Sequence, residues 1–311
     1  MNAIMKKFLL ATVLAVFAVG AQAASKRLKP FIMADITTGD IATVQKQVEK
    51  KLKDGGFEVV GSYSPYSNAT VIAFTNDALK QNAAKSEFGG YGAAQRVSVT
   101  KVGNDLQVAY TNPTYMAHIY RMASDLAGVS SQLVKVLGKR KEFGSRKGLR
   151  VKKLRKYHYM FGMEYFDDTS MHELAQYPNH KAALKTVEGN LKKGLGGVTQ
   201  VYRIDVPGKD EVVFGVGMKK GKGGDKYVDD SFIMGIIDFT EEKGTAHLPY
   251  EILVSGKKVY HLYARFRIAI NFPDLSMMGD NSFMNIVESP EAIKKALTKV
   301  AGGEVTDNYW D

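Results

Sequence analysis

The first regular pattern of apolar positions in the chain has a helical period. The apolar residues recur at spacings of three and four, which places their side chains on one face of a helix; they are Ile41, Val44, Val48 and Leu52. Thr38 or Asp40 can cap the N-terminus of this helix, and Gly55-Gly56 is typical of a helix end. The spacing predicts an amphipathic helix over residues 40–54.

Short segments rich in β-branched and aromatic residues follow this helix. Residues 57–63 and 69–74 have this composition and are separated by Ser, Pro and Asn, which favour turns. Residues 96–102 and 105–110 then flank Gly103-Asn104, a pair typical of a tight hairpin turn. The pattern predicts antiparallel strands joined by short connections.

The same order of patterns recurs in the second half of the chain. Val48-Glu49, Leu52-Lys53 and Gly55 reappear at matching intervals as Val187-Glu188, Leu191-Lys192 and Gly194. Residues 198–206 then form a strand pattern, and a long alternating stretch from Tyr260 to Ile270 is interpreted as another strand. Its end, residues 268–273, corresponds to residues 108–113. Helices predicted from Ala123 to Leu137 and from Ser289 to Val300 close the halves.

This organisation predicts an α+β protein of two related halves, each an antiparallel sheet with helices packed on one face. Residues 40–122 resemble the domain of unknown function 302 family, with the motif Val108-x-Tyr110-x-Asn112-Pro113-x-Tyr115 near their C-terminal end. The resemblance implies a compact antiparallel sheet with helices on one side and a tendency to pair or duplicate. It implies no reaction. The second half departs from the motif, with Phe272-Pro273-Asp274-Leu275 in its place.

The first 23 residues have the three parts of a secretory signal peptide. Lys6 and Lys7 precede an apolar run over residues 8–19, and Ala21-Gln22-Ala23 matches a cleavage site. The alternative, a membrane anchor, needs roughly 20 apolar residues. The sequence therefore predicts a signal peptide over residues 1–23, a periplasmic or secreted protein and no transmembrane segment after cleavage. The chain has no cysteine, which excludes disulfides and thiolate chemistry.

Cleavage leaves a chain of the size of two domains, predicted as residues 24–138 and 161–311 with a basic linker at 139–160. Ten Lys or Arg lie between Lys139 and Lys156, against the single acid Glu142. That local excess of +9 equals the net charge that remains after cleavage removes two lysines from the total of +11. Two interpretations are open: a solvated linker, or contact with an anionic envelope surface. The proposed contact residues are Lys152, Lys153, Arg155 and Lys156.

Two further segments carry candidate chemistry. The first holds thioether and imidazole groups that suit copper, although methionines also fill cores; the candidate ligands are His158, Met160, Met163 and His172. The second, residues 215–224, is rich in glycine and lysine, and its backbone N–H groups could cradle an anion. Its spacing matches neither a Walker loop nor a dinucleotide-binding fingerprint, so a plain hairpin loop is the alternative.

No motif of a known enzyme class or nucleic-acid-binding fold is present. The sequence predicts a non-enzymatic binding or scaffolding protein, without cofactor or nucleic acid, that takes a small molecule between its halves. The predicted ligand-binding residues follow the shared strand ends and are Asn112, Tyr115, Phe272 and Asp274. The alternatives are that these turns only end strands, or that the protein is an envelope hydrolase or metal-dependent enzyme that uses residues 158–173.

Overall fold

The protein folds as an α+β structure built on two antiparallel sheets. The computed structural model describes residues 26–160, 162–221 and 224–305. The predicted signal peptide, residues 1–23, lies outside these ranges.

The first sheet has six strands in the order β3-β4-β5-β6-β2-β7. They are β2 (Phe31–Thr37), β3 (Glu58–Tyr63), β4 (Ala69–Thr75), β5 (Gln95–Val102), β6 (Asp105–Thr111) and β7 (Lys141–Phe143). A separate pair joins β1 (Arg27–Leu28) to β8 (Leu149–Arg150). The predicted strands at 57–63, 69–74, 96–102 and 105–110 are β3 to β6, so the hairpins form where the turn residues indicate.

The helices of this half are α1 (Ile41–Asp54), α2 (Asp77–Ala84), α3 (Pro113–Ile119), α4 (Ala127–Leu137) and α5 (Val151–Leu154). Asp40 caps α1 by accepting a hydrogen bond of 2.9 Å from the Thr43 backbone N–H. The face of α1 that carries Val44, Val48 and Leu52 is buried against the first sheet, as its period predicts.

The second sheet has five strands in the order β10-β11-β12-β13-β9. They are β9 (Glu173–Gln176), β10 (Val198–Asp205), β11 (Glu211–Met218), β12 (Tyr250–Ser255) and β13 (Lys258–His261). The helices are α6 (Thr169–His172), α7 (His180–Lys192), α8 (Asp230–Ile237), α9 (Ala264–Asn271) and α10 (Ser289–Ala301). Helix α10 begins at Ser289-Pro290 and is closed by Gly302 in the left-handed conformation, φ 71°.

The two halves have their elements in the same order. The first runs β2-α1-β3-β4-α2-β5-β6-α3-α4, and the second runs β9-α7-β10-β11-α8-β12-β13-α9-α10. The sheets match as well, because β3-β4-β5-β6-β2 corresponds to β10-β11-β12-β13-β9. A duplication would produce this arrangement, but duplication itself stays an inference from pattern and order.

The prediction of a strand from Tyr260 to Ile270 is wrong. Strand β13 ends at His261, and α9 occupies residues 264–271. The alternation misleads because α9 is buried on several sides and Arg267, whose charge suggests solvent, is 1% exposed. The correspondence between residues 108–113 and 268–273 therefore joins a strand end to a helix end.

The sheets pack against each other through the faces that carry no helix. Strand β5 shows the division, since Val97 lies in the helix-covered core while Arg96 pairs with Glu251 of β12. At the same seam a Cβ on Gly217 of β11 would lie 2.8 Å from the ring of Tyr63. The result is four layers: helices, sheet, sheet, helices.

Each half also covers part of the sheet of the other. The Gly90 backbone N–H, between β4 and β5, donates a hydrogen bond of 2.7 Å to the Glu211 carboxylate of β11. In the reverse direction Thr100 of β5 donates a hydrogen bond of 2.9 Å to Thr245, which lies between α8 and β12. These reciprocal contacts bury the seam between the sheets.

The predicted linker, residues 139–160, is built into the first half. Strand β7 pairs with β2, β8 pairs with β1, and Leu154 of α5 is fully buried. Within the described ranges, no helix combines the length and the apolar character needed to cross a bilayer.

Candidate functional site

The predicted ligand-binding residues of the first half are structural contacts. Asn112 is 2% exposed, caps α3, and donates a hydrogen bond of 3.0 Å to the Lys29 carbonyl. Tyr115 is fully buried, and its hydroxyl donates a hydrogen bond of 2.6 Å to the Ile270 carbonyl. Helix α3, which begins at Pro113, is absent from the sequence prediction, although an Asn followed by Pro is a helix-start signal.

The predicted residues of the second half lie near the same joint but do not complete a pocket. The Phe272 ring packs on Phe31 and His247, with centroid distances of 6.2 and 5.4 Å. Asp274 is exposed and accepts a hydrogen bond of 2.5 Å from the Arg146 backbone N–H. The two turns therefore lie close together, as their corresponding positions in the two halves suggest. The space between them is filled by packed side chains.

His172, one of the candidate metal ligands, uses both of its ring nitrogens within the protein. Its Nδ1 accepts a hydrogen bond of 3.2 Å from the Tyr263 backbone N–H. The proton is therefore on Nε2, which lies 2.6 Å from the Tyr165 carbonyl and donates to it. Burial lowers the pKa of His172, which favours this neutral form. No lone pair is left for a metal.

The other candidate ligands do not converge on His172. His158 stacks on Tyr165 at 3.7 Å, and the Met163 sulfur accepts a hydrogen bond of 2.8 Å from Arg265, while Met160 is 41% exposed. The small groove beside His172 has a volume of about 10 Å³, the space of roughly one water. Among residues 26–160, 162–221 and 224–305, no group of three or more His, Cys, Asp or Glu could hold a metal.

The seam between the sheets contains a buried cluster of charged residues. Arg96, Glu251 and Arg267 are each 1–2% exposed. The Glu251 carboxylate pairs with Arg96 through one oxygen and with Arg267 through the other, at 3.2 Å. Two guanidinium groups thus share one carboxylate, which leaves one positive charge to be balanced by dipoles.

Carbonyl and hydroxyl groups surround that extra charge. Arg267 donates hydrogen bonds of 2.7 and 3.1 Å to the His247 and Pro249 carbonyls and one of 2.5 Å to the Tyr120 hydroxyl. Burial, followed by the charges of Arg267 and Arg96, holds the pKa of His247 far below its usual range. The cluster is closed to solvent and joins the halves. The signal for the cluster in the sequence is a charged residue within an apolar pattern, as at position 267.

A buried carboxyl lies at another point of the seam. Asp230, at the start of α8, accepts hydrogen bonds of 3.1 Å from the Tyr63 hydroxyl and 2.9 Å from the Met218 backbone N–H. Burial raises the pKa of Asp230 to about 7, although both hydrogen bonds act to lower it. The group is therefore a titratable link between the two halves.

A cleft beside α10 in the second half has space for a ligand. Its volume is about 340 Å³, within the range of small-molecule sites. One wall is glycine backbone, from Gly196, Gly197, Gly221 and Gly224; the other is the face of α10 that carries Ala292, Lys295, Ala296 and Lys299. The glycine and lysine segment at residues 215–224, interpreted above as an anion cradle or a plain loop, supplies two of these glycines.

Local backbone geometry explains the glycine wall. Gly196 and Gly197 have φ angles of 66° and 76°, which side chains other than glycine rarely adopt. A Cβ on Gly197 would lie 2.2 Å from the Lys219 carbonyl, and one on Gly196 would lie 3.3 Å from Ala296 Cα. The absence of side chains here lets the backbone approach both α10 and Lys219, the residue after β11, and leaves the space beside them open.

The cleft has an excess of positive charge. Lys295 and Lys299 are one turn apart on α10 and both line it. The acidic residue in its wall, Asp225, accepts a hydrogen bond of 2.9 Å from the Tyr227 backbone N–H. The lysine ammonium groups that line the cleft favour an anionic group over a neutral one.

In comparisons with known proteins, no family model, curated protein or solved structure matches this chain. The resemblance of residues 40–122 to the domain of unknown function 302 family stays a prediction.

Proposed function

We propose that this protein is an extracytoplasmic, non-enzymatic binding protein that takes a small anionic molecule in the cleft beside α10. The observation that carries the proposal is a cleft of about 340 Å³ with glycine backbone on one side and two lysines on the other. The location follows from the predicted signal peptide. The site differs from the one predicted between the halves, where the candidate residues Asn112 and Tyr115 are buried.

The chemistry of the walls selects the ligand class. Ammonium groups donate charge-assisted hydrogen bonds to carboxylate, sulfate or phosphate oxygens. The backbone N–H groups of Gly197 and Gly224 already donate to the Gly194 and Gly221 carbonyls, so the lysines supply the main attraction for an anion. Lysine acts as a point charge and sets less geometry than arginine. We therefore expect the site to select anions by their charge and size and not by one particular planar shape.

Calorimetric titration of the purified protein with inorganic phosphate, sulfate, citrate and adenosine monophosphate tests the proposal, with glucose as the neutral comparison. At least one anion should bind, and glucose should not. The double variant Lys295→Gln with Lys299→Gln should weaken binding at least about tenfold, because both ammonium groups line the cleft. Lys185→Gln, an exposed position on α7, is the matched control and should bind as the wild type does.

A variant that changes volume but not charge gives an independent check. Ala292 lines the cleft and is partly exposed, so Ala292→Trp should block the space and abolish binding while thermal unfolding stays cooperative. Failure of all four anions to bind the wild type, or binding that survives both the lysine and the tryptophan variants, would refute the site.

A second role is supported by the position of the basic segment. Pairing of β1 with β8 places Arg27 opposite Arg150, which adds the start of the described chain to the basic surface. Lys152, Lys153 and Lys156 are exposed beside this pair. We propose that this surface holds the protein against an anionic envelope surface, to which each basic residue contributes on the order of 1 kcal/mol.

Arg155, named with these lysines in the sequence prediction, has a different environment. Its guanidinium donates hydrogen bonds of 3.1 and 3.4 Å to the Met122 and Arg121 carbonyls. Those contacts tie α5 to the first half, so the proposed surface contact rests on the three lysines.

Co-sedimentation with vesicles of phosphatidylglycerol and phosphatidylcholine tests the second role. Binding should fall steeply from low to physiological salt and should be weak on phosphatidylcholine alone. The triple variant Lys152→Gln, Lys153→Gln, Lys156→Gln should bind several-fold less. The same triple change at Lys46, Lys51 and Lys53, exposed on α1, should have less effect. Equal loss in both triple variants would show attraction by net charge alone and would end the proposal.

A further inference from the structure

Three methionines are exposed to solvent on the segment between α9 and α10. Met277, Met278 and Met284 are 46%, 79% and 52% exposed. Methionine is among the residues most often buried, because its thioether side chain is largely apolar. Three such side chains exposed on one short segment add nothing to the core and call for another role.

The backbone brings these residues together in a hydrogen-bonded loop. The Met284 N–H donates a hydrogen bond of 3.2 Å to the Met277 carbonyl, and the Phe283 N–H donates one of 2.9 Å to the Ser276 carbonyl. A parallel bridge between Ser276 and Ser282 closes the same loop. Met278 follows Met277 directly, so all three thioethers start from neighbouring points of a closed loop.

Further contacts hold the loop in shape. Ser282 donates a hydrogen bond of 2.8 Å to the Gly279 carbonyl, and its backbone N–H donates one of 3.2 Å to the Asn285 side chain. The reciprocal pair between Ser282 and Asn285 is a capping box. The methionine side chains, with three rotatable bonds each, can therefore converge from a fixed base.

We propose that Met277, Met278 and Met284 form a binding site for a single soft monovalent metal ion, Cu(I). Thioether sulfur is a soft ligand that selects Cu(I) over hard and borderline cations. The chain contains no cysteine, so methionine supplies its softest ligands. This site is separate from the copper ligands considered at residues 158–172, of which His172 has no nitrogen available.

The ligand set makes a distinctive prediction about pH. Thioethers carry no proton to lose on metal binding, whereas imidazole, carboxylate and thiol ligands must be deprotonated. Cu(I) affinity should therefore change little between pH 5 and pH 7. A site that depends on histidine would weaken clearly over the same range.

Anaerobic titration of the protein with Cu(I), in competition with a chromophoric Cu(I) chelator, tests the proposal. The wild type should bind about one equivalent. The triple variant Met277→Leu, Met278→Leu, Met284→Leu should lose that equivalent, because leucine keeps the apolar volume but has no sulfur. Val287→Ala is the control and should bind copper as the wild type does, since Val287 is 46% exposed close to Met284 but has no sulfur.

X-ray absorption at the copper edge should show sulfur ligands only, and a melt of each variant should show unchanged cooperative unfolding. Three results would overturn the site: a wild type that binds no Cu(I), a triple variant that keeps it, or nitrogen ligands at the copper. A surface that instead serves apolar docking would survive the leucine changes and bind no copper. Anion binding in the cleft beside α10 is measured separately, so the two proposals fail independently.

Discussion

The seam between the two sheets and the cleft beside α10 use charged residues in opposite ways. At the seam Arg96, Glu251 and Arg267 are buried, paired and surrounded by carbonyls. In the cleft Lys295 and Lys299 line an open space next to glycine backbone. Buried charge has to be matched within the protein, because desolvation is costly, while charge at an open surface can meet a ligand. The same residue classes thus hold the halves together in one region and line the proposed binding surface in the other.

The largest effect is expected from Glu251. Glu251→Gln leaves Arg96 and Arg267 buried without their carboxylate, which should cost about 3 to 5 kcal/mol of unfolding free energy. Arg96→Met should cost clearly less, because it leaves one guanidinium for one carboxylate. Urea unfolding of both variants measures the difference. Equal losses would mean that the cluster does not behave as two cations that share one anion.

The next effect tests how the cleft is built. Gly197→Ala should destabilise the second half by at least about 2 kcal/mol, because the left-handed φ of 76° disfavours a side chain and the Cβ would overlap the Lys219 carbonyl. Gly221→Ala, in the same wall, is the control and should cost under about 1 kcal/mol, since no atom lies within 4 Å of its Cβ. Similar thermal melts for the two would contradict the geometry.

A smaller effect concerns pH and the buried carboxyl of Asp230. Its pKa of about 7 lies above its ordinary value of 3.8, so the folded state binds more protons than the unfolded state between these values. The stability from this group is complete below about pH 4 and is lost as pH rises through 7. Asp230→Asn should therefore gain about 1 to 2 kcal/mol relative to the wild type from pH 5.5 to pH 8.

Urea unfolding across this pH range provides the measurement. Asp238→Asn is an independent repeat, because burial raises the pKa of Asp238 to about 7 as well. His247 titrates in the opposite sense, but it is present in every variant and its contribution cancels in the difference. A difference between variant and wild type that stays flat with pH would show that Asp230 remains ionised in the fold.

The smallest effect is expected at the basic surface. The triple change of Lys152, Lys153 and Lys156 to Gln should alter stability by under about 0.5 kcal/mol, because these side chains are exposed. Arg155→Gln should cost about 1 kcal/mol, because it removes hydrogen bonds to two carbonyls. Thermal melts at low and high salt give both values. A triple variant less stable than Arg155→Gln would reverse the roles assigned to these residues.

Local patterns in the sequence determined much of the fold. The period of apolar residues identified α1, the turn residues identified the strands β3 to β6, and the helix predicted from Ser289 to Val300 is α10. These features depend on interactions between residues a few positions apart, which can be recognised from the sequence alone. The α+β class and the helix-covered sheets follow from them.

Contacts between distant residues were decided only by the tertiary structure. The alternation of apolar and charged residues over residues 260–270 could not distinguish a strand from helix α9. The reason is that Arg267, although charged, is buried in the core, where it pairs with Glu251. Asn112 and Tyr115 make structural contacts and do not line a pocket, since the Tyr115 hydroxyl donates a hydrogen bond to the Ile270 carbonyl. The cleft needed both the glycine backbone and α10, which lie about 70 to 100 residues apart in the sequence and form its opposite walls only through packing around the second sheet.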